Sequence, residues 1–175
     1  MTDFEKYIQR YLDLIPTENW IAEMQAASDK TLEFYKNLTD SQANFTYAPE
    51  KWSLKTLLEH LTDTEKIFHY RALRFARKDA TELAGFNEEQ YARNSSSHIQ
   101  PLSVLTEEFS INRQSSVLFF QKLSPEQLQC KGKANGNEIS VATLGKLIVG
   151  HNIHHLHIIK ERYLPALEIT GNGTF

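Results

Sequence analysis

One stretch of the chain, residues 140–163, reads SVATLGKLIVGHNIHHLHIIKERY. Its apolar residues recur at intervals of three or four, which is the period of an α-helix that buries one face. Ser140 precedes the first apolar residue, where its hydroxyl can accept a hydrogen bond from a free N–H group of the first turn. We therefore predict a long helix from Ser140 to about Tyr163, ended by Pro165 because proline cannot continue a helix.

Four of the chain's seven histidines lie within seven residues of this helix. At 100° per residue, His151 and His155 fall within the arc of its apolar side chains, whereas His157 points to the opposite side. His154 falls at the edge of the arc, where we expect an edge role or a supporting role behind the ligands. Two inward histidines could be core residues with separate hydrogen-bond partners, since a buried polar group without a partner is costly. One metal ion would satisfy both, so we expect His151 and His155 to bind a divalent metal.

The same spacing predicts four earlier helices. They cover residues 3–14, residues 20–38, Ser53 to residues 77–79, and a segment that begins at a cap on Ser103. Residues 39–50 are polar and contain Pro49, so a loop is expected there. Residues 80–100 are also polar and predict a long connection with a helical turn near residues 87–91.

Two local signals fill the interval before the last helix. Ser124 followed by Pro125 and Gln127 predicts a single capped helical turn. Asn135-Gly136 is a strong hairpin signal, because both residues tolerate the left-handed backbone of a two-residue turn. The order of elements predicts an all-α fold in one domain over residues 1–175. This fold is a four-helix bundle with a short N-terminal helix and a small hairpin-containing crossover before the last helix.

Composition limits the classes of protein. Hydrophobic residues make up 41% of the 175 residues and charged residues 23%, which is typical of globular domains. The net charge of −3 and the scattered lysines and arginines argue against a nucleic-acid partner. No apolar stretch approaches the ~20 residues that span a bilayer, and residues 1–6 do not begin an apolar leader. Cys130 is a lone cysteine, so no internal disulfide forms. We expect a cytoplasmic protein without a membrane partner.

A third metal ligand must come from another segment, because two histidines seldom hold an ion firmly. The possible ligands are His60, His69, His98, Asp63 and Glu65, and spacing favours His60, one step off the apolar stripe of its helix. The chain contains no HExxH, GxSxG, GxGxxG or P-loop sequence. These absences exclude zincin-type proteases and several other common enzyme classes.

Several segments, taken in order, resemble the DinB/YfiT-like superfamily. They are Lys51-Trp52-Ser53, the run LEHLTDTE at residues 58–65, NGNEISV at residues 135–141, GHNIHH at residues 150–155 and ERYL at residues 161–164. The resemblance covers nearly the whole chain. It implies a four-helix bundle with a divalent metal, zinc or nickel, held by His60, His151 and His155. It also implies a homodimer, and transfer of a low-molecular-weight thiol such as bacillithiol, mycothiol or glutathione to an electrophile. Some members are labelled as hydrolases.

Two residues near the expected ligands receive provisional roles. Asp63, one turn beyond His60, is expected either to orient a ligand imidazole from behind or to be an ordinary polar helix residue. Glu65 faces the apolar stripe, and an inward ion pair with Arg71 or Arg113 is favoured over a role as general base. Three functions stay open: thiol transfer, metal-dependent hydrolysis, and a non-catalytic bundle that the metal only stabilises.

Overall fold

A computed structural model describes residues 2–167 of the chain, and most of them are helical. The helices are α1 (Asp3–Leu12), α2 (Trp20–Lys36), α3 (Asp40–Ala43), α4 (Leu54–Ala76), α5 (Glu88–Asn94), α6 (Leu102–Gln121), α7 (Pro125–Gln129), α8 (Val141–Ile158) and α9 (Leu164–Leu167). A 3-10 turn covers Ser97–Ile99, a π-helical turn covers Ile159–Tyr163, and strands β1 (Lys131–Ala134) and β2 (Asn137–Ser140) form an antiparallel hairpin. The predicted helical bundle with a hairpin before its last helix is confirmed. None of the helices within residues 2–167 combines the length and apolar character needed to cross a membrane.

The bundle consists of the four long helices α2, α4, α6 and α8. Helix α4 packs against α6 and α8, and α2 also packs against α6 and α8. Two apolar clusters fill the bundle. One contains Trp20, Phe75, Phe120 and Leu144, and the other contains Tyr35, Leu57, Phe109 and Ile159. Helices α2 and α8 therefore run from the first cluster to the second, whereas α4 and α6 run in the opposite direction.

Local sequence signals explain where the elements that carry the site begin. The hydroxyl of Ser53 accepts a hydrogen bond from Thr56 N at 3.1 Å, and that of Ser140 accepts one from Thr143 N at 3.1 Å. Asn135 and Gly136 have φ angles of 49° and 76°, which is the left-handed pair that a two-residue hairpin turn requires. The hairpin thus leads directly into α8, whose start is set by Ser140.

Two predictions about the middle of the chain are wrong. Residues 39–50 contain α3, which begins with a reciprocal capping box between Thr39 and Gln42. Helix α6 begins at Leu102, after Pro101, and not after a cap on Ser103. The backbone N–H of Leu102 donates instead to Asp40 Oδ1 at 3.0 Å. The acceptor at this helix start comes from α3, far away in the sequence.

Helix ends also differ from the predictions. Helix α1 ends at Leu12 and α2 at Lys36, each two residues early, and the turn predicted near residues 87–91 extends to Asn94. Pro165 does not stop the last helix but lies within α9. In the π-helical turn the N–H of Leu164 donates to Ile159 O, five residues back. This wider turn precedes Pro165, which has no N–H to donate.

The N-terminal helix packs closely on the last helix. A Cβ atom added at Gly150 would lie 2.2 Å from the backbone oxygen of Tyr11. Glycine at this position therefore lets the end of α1 contact α8 directly. The contact brings Tyr11 beside the histidine-rich segment.

Candidate metal site

Three histidines from two helices meet inside the bundle. His60 Nε2 of α4 lies 3.0 Å from His151 Nε2 of α8, and His155 Nε2 lies 3.1 Å from the same atom. His151 and His155 are one helical turn apart, so α8 presents both on one face. The ring centroids are 4.6 to 5.1 Å apart, and the rings are close to perpendicular. All three Nε2 atoms thus point to one common position.

The surroundings keep these imidazoles neutral. Burial lowers the pKa of His60 to about 4. Burial, and then repulsion between the imidazoles, lowers the pKa of His151 and of His155 well below the usual value. Neutral imidazole is the form that binds metal ions, because its ring nitrogen keeps a free lone pair. The site therefore presents three lone pairs near neutral pH.

The donor set and spacing fit a divalent metal. Two nitrogen ligands at about 2.0–2.1 Å from a tetrahedral ion lie about 3.3 Å apart, close to the 3.0 and 3.1 Å separations of the Nε2 atoms. Without an ion, His151 Nε2 contacts two other ring nitrogens, and a neutral ring has a single N–H to share. Among residues 2–167 this is the one cluster of histidine, cysteine or carboxylate groups that could hold an ion.

Aromatic side chains surround the three histidines. The Trp52 ring lies 4.7 Å from that of His60, and the Tyr11 ring lies 5.8 Å from that of His151. Tyr163 donates a hydrogen bond to Trp52 O at 2.8 Å, which links the π-helical turn after α8 to the segment beside His60. Sequence reasoning did not place Tyr11 at the site. The apolar spacing of α1 was the available signal for Tyr11.

The other histidines lie elsewhere. His154 is half-buried at the edge, with its ring 5.4 Å from Tyr11 and 5.2 Å from His155. His157 and His98 are exposed, and His69 packs against Phe119. The ring nitrogen Nδ1 of His155 is buried and has no hydrogen-bond partner among residues 2–167. Packing between rings therefore orients His155.

Asp63 and Glu65 each have a cationic partner. Asp63 lies 3.8 Å from Lys66 Nζ, and burial raises the pKa of its carboxyl group. No hydrogen bond joins it to a histidine within residues 2–167. Glu65 forms the inward ion pair that the sequence favoured, with Arg113 at 2.8 Å and not with Arg71. Cys130 is part-exposed, and its thiol contacts a backbone oxygen of its own helical turn.

A polar layer crosses the bundle at the level of the histidines. Arg113 of α6 bonds to Glu65 of α4, and its Nη2 donates to Asn152 Oδ1 of α8 at 3.0 Å. Asn152 Nδ2 donates to Thr31 Oγ1 of α2 at 2.8 Å. Each of the four long helices therefore supplies one residue of this hydrogen-bonded layer. Asn152 is the residue next to His151 in the chain. This network fixes the position of α8, and thereby of its two inward histidines.

A cavity of about 540 Å³ opens beside His151. Its walls come from α1, α4, α5, the hairpin and α8, and most of them are apolar or aromatic. They include Phe4, Tyr7, Phe68, Phe86, Leu144 and Leu147. The volume lies in the range typical of small-molecule sites. A small molecule in this cavity would contact His151, one of the three converging histidines.

Fold and site together define a four-helix-bundle protein with a three-histidine cluster beside a small-molecule cavity. Residues 23–159 match the family model described as the DinB superfamily. The match covers well over half of the chain, and the chain belongs to the DinB superfamily. The family assignment made from the sequence is confirmed.

Two relatives extend the comparison. A protein of Oceanobacillus iheyensis, named as a proposed metal-dependent hydrolase, is 28% identical over 149 residues, covering 81% of this chain and 82% of the relative. YfiT from Bacillus subtilis, a protein of known structure, is 18% identical in sequence to this chain. The two structures match with a TM-score of 0.75, and the match covers 85% of each chain. YfiT is described as a probable metal-dependent hydrolase with an unusual four-helix bundle topology. At this identity the likeness to YfiT supports the fold alone.

Proposed function

We propose that this protein is a metal-dependent enzyme acting on a small molecule, with His60, His151 and His155 as ligands of a divalent ion. The observation that carries the proposal is the convergence of three neutral, largely buried Nε2 atoms beside a cavity. The names of the relatives support metal dependence. Zinc and nickel both accept imidazole ligands, and both are proposed.

Three protein ligands leave at least one coordination position open, as in catalytic sites. A bound divalent ion would supply Lewis acidity there, which lowers the pKa of a bound water or thiol. The chain's own residues then perform the remaining tasks. The rings of Trp52 and Tyr11 lie against His60 and His151, and the cavity wall would orient the reacting molecule.

Transfer of a low-molecular-weight thiol is the proposed reaction. A thiolate and a hydroxide are both nucleophiles without a further base, but displacement of a good leaving group by a thiolate needs no proton donor, whereas ester or amide hydrolysis commonly uses a general acid or base. The inward carboxylate of Glu65 is committed to Arg113, and the carboxylate of Asp63 lies beside Lys66. Neither carboxylate forms a hydrogen bond with one of the three histidines within residues 2–167. Hydrolysis is the second candidate, and the names of the two relatives favour it.

One experiment separates the two reactions. The full chain, purified without nickel resin and loaded with zinc or nickel, is incubated with monochlorobimane and cysteine or glutathione, and in parallel with p-nitrophenyl acetate. Thiol transfer predicts a metal-dependent increase in bimane–thiol product that is lost in His151→Ala and kept in His157→Ala. Ester cleavage with the same dependence, and no thiol product, would favour hydrolysis. Neither activity with any metal would favour the non-catalytic bundle.

The homodimer implied by the family resemblance remains a prediction. Sedimentation analysis of the full chain checks it, because a dimer has twice the mass of the 20.2 kDa chain.

A further inference from the structure

Arg71 is a buried cation without a counter-charge. Its side chain is in the wall of the cavity beside His151, and the residue is 8% exposed. Its Nη2 donates to the backbone oxygen of Ala84 at 2.7 Å. Among residues 2–167 this is its one hydrogen bond, and no carboxylate there lies within ion-pair distance. A buried guanidinium normally has an anionic partner, because an unpaired buried charge is costly.

Aromatic rings hold the guanidinium in place. Its central carbon lies 6.0 Å from the Phe68 ring and 5.9 Å from the Phe86 ring. Together with the bond to Ala84 O, these contacts orient the group and leave its other N–H donors for a ligand. Burial lowers the pKa of Arg71, but an arginine remains charged in proteins. The acidic residues of the cavity, Glu88 and Glu89, are exposed at its rim and form no ion pair with Arg71.

The position of Arg71 relates it to the three histidines. His60, Thr64 and Arg71 lie on one face of α4, and Arg71 follows His60 by about three turns, a rise of about 16 Å. Thr64 lines the same cavity, and its Oγ1 is buried without a hydrogen-bond partner among residues 2–167. The wall therefore carries the Arg71 guanidinium, which has no carboxylate partner, and, nearer to His60, the Thr64 hydroxyl, which has no hydrogen-bond partner among residues 2–167.

We propose that the cavity binds a molecule with an oxyanion group, a carboxylate or a phosphate, on Arg71, with its apolar body along the aromatic wall and its reacting end toward His151. Thr64 Oγ1 would bond to a polar atom in the middle of the ligand. This inference rests on the proposed function, because it assumes that the cavity is the substrate site. It adds a specificity residue and a substrate class: elongated small anions are bound, and neutral analogues are bound weakly.

Binding of simple probes tests the assignment apart from metal chemistry. The metal-free full chain is titrated by calorimetry with 4-phenylbutyrate, its neutral amide and 3-phenylpropyl phosphate. We expect one of the two anions to bind at least about tenfold more tightly than the amide, as hydrogen bonds to a charged group allow. Preference for the carboxylate or the phosphate identifies the group. Equal binding of amide and anions would overturn the proposal.

Variants of Arg71 test whether this residue causes the preference for anions. Arg71→Gln should weaken binding of the preferred anion about tenfold or more and leave the amide unchanged, whereas Arg71→Lys should retain part of the preference. Arg77→Gln is the matched control, because it removes an exposed charge at the C-terminal cap of the same helix, and Arg77 does not line the cavity. Unchanged anion binding in Arg71→Gln, or an equal loss in Arg77→Gln, would contradict the assignment. His60→Ala should keep the anion preference even if it loses every metal-dependent activity, so the two proposals can fail separately.

Discussion

Arg113 and Glu65 form an ion pair in the centre of the bundle, with both side chains 2% exposed. Arg113 Nε lies 3.0 Å from each carboxylate oxygen, and its Nη1 donates to Met24 O at 2.5 Å. Removing one partner of such a pair leaves an uncompensated buried charge. We expect Arg113→Ala to lower the free energy of unfolding by about 3–5 kcal/mol, measured by urea denaturation.

A surface pair provides the control for this prediction. Lys66 and Glu108 lie 2.6 Å apart with both side chains 45% exposed, so Lys66→Ala should cost at most about 1 kcal/mol. The double variant Glu65→Leu/Arg113→Met should be more stable than Arg113→Ala, because no charge remains buried. Similar losses in Arg113→Ala and Lys66→Ala would contradict this account of the core.

The ligand assignment predicts a specific pattern of metal loss. His60→Ala, His151→Ala and His155→Ala should each abolish stoichiometric binding of zinc or nickel, since two histidines hold an ion weakly. His157→Ala should bind metal normally, because its side chain is exposed on the other side of α8. Metal content after dialysis measures both results. Full occupancy in either His151→Ala or His155→Ala would refute the assignment.

Removal of the metal should leave the bundle folded. The two apolar clusters span all four long helices, and the polar layer between them is satisfied by its own hydrogen bonds. We therefore expect chelation to preserve the helical circular-dichroism signal and to lower the melting temperature, because metal binds the native state. Unfolding on chelation would indicate a structural metal. Addition of thiols to the cobalt-substituted protein should change its d–d spectrum, which reports the open coordination position.

Acid should destabilise the metal-free protein through its buried histidines. Burial lowers the pKa of His60 to about 4, whereas an unfolded histidine titrates near ~6.5. Between these values the unfolded state binds a proton that the folded state does not, so stability falls as pH drops from about 6.5 toward 4. Urea midpoints measured at several pH values check the direction. In His60→Asn part of this slope should disappear, and an unchanged slope would show that other groups cause it.

The close contact at Gly150 predicts a localised defect. A methyl group there would meet Tyr11 O, so Gly150→Ala should displace α1 from α8. We expect a lower melting temperature and faster proteolysis within residues 2–12, with the helical signal of the bundle retained. Lys146→Ala, one turn earlier on α8, is the control and should behave like the wild type. Unaltered proteolysis in Gly150→Ala would mean that α1 can shift without separating.

Elements with local signals were predictable from the sequence. The caps at Ser53 and Ser140 and the turn at Asn135-Gly136 operate through neighbouring atoms, so their patterns identified α4, α8 and the hairpin. The start of α6 was not predictable in this way, because its acceptor is Asp40 of α3. The π-helical turn before Pro165 likewise depends on how the end of α8 packs.

In the candidate site, too, the features set within one helix were predictable and those set by packing between helices were not. Helical periodicity brought His151 and His155 to one face, and the family resemblance added His60. The partner of Glu65 was left open between Arg71 and Arg113. Arg71 follows Glu65 on the same helix but projects from a different side of it, whereas the contact with Arg113 depends on the packing of α4 against α6. In the structure Arg113 lies in the core and pairs with Glu65, whereas Arg71 lies in the wall of the cavity.

The directions of the four long helices have a consequence for folding kinetics. Of the long helices that follow each other in the chain, α4 and α6 pack in parallel, whereas α2 does not pack along α4 and α6 does not pack along α8. The antiparallel contacts instead join α2 to α6 and α4 to α8. No pair can therefore form as a local helical hairpin. Long segments of chain must close before the core forms, which raises the contact order. We expect this bundle to fold more slowly than an up-and-down bundle of equal length and stability, because its nucleus must bring together segments that are distant in the chain.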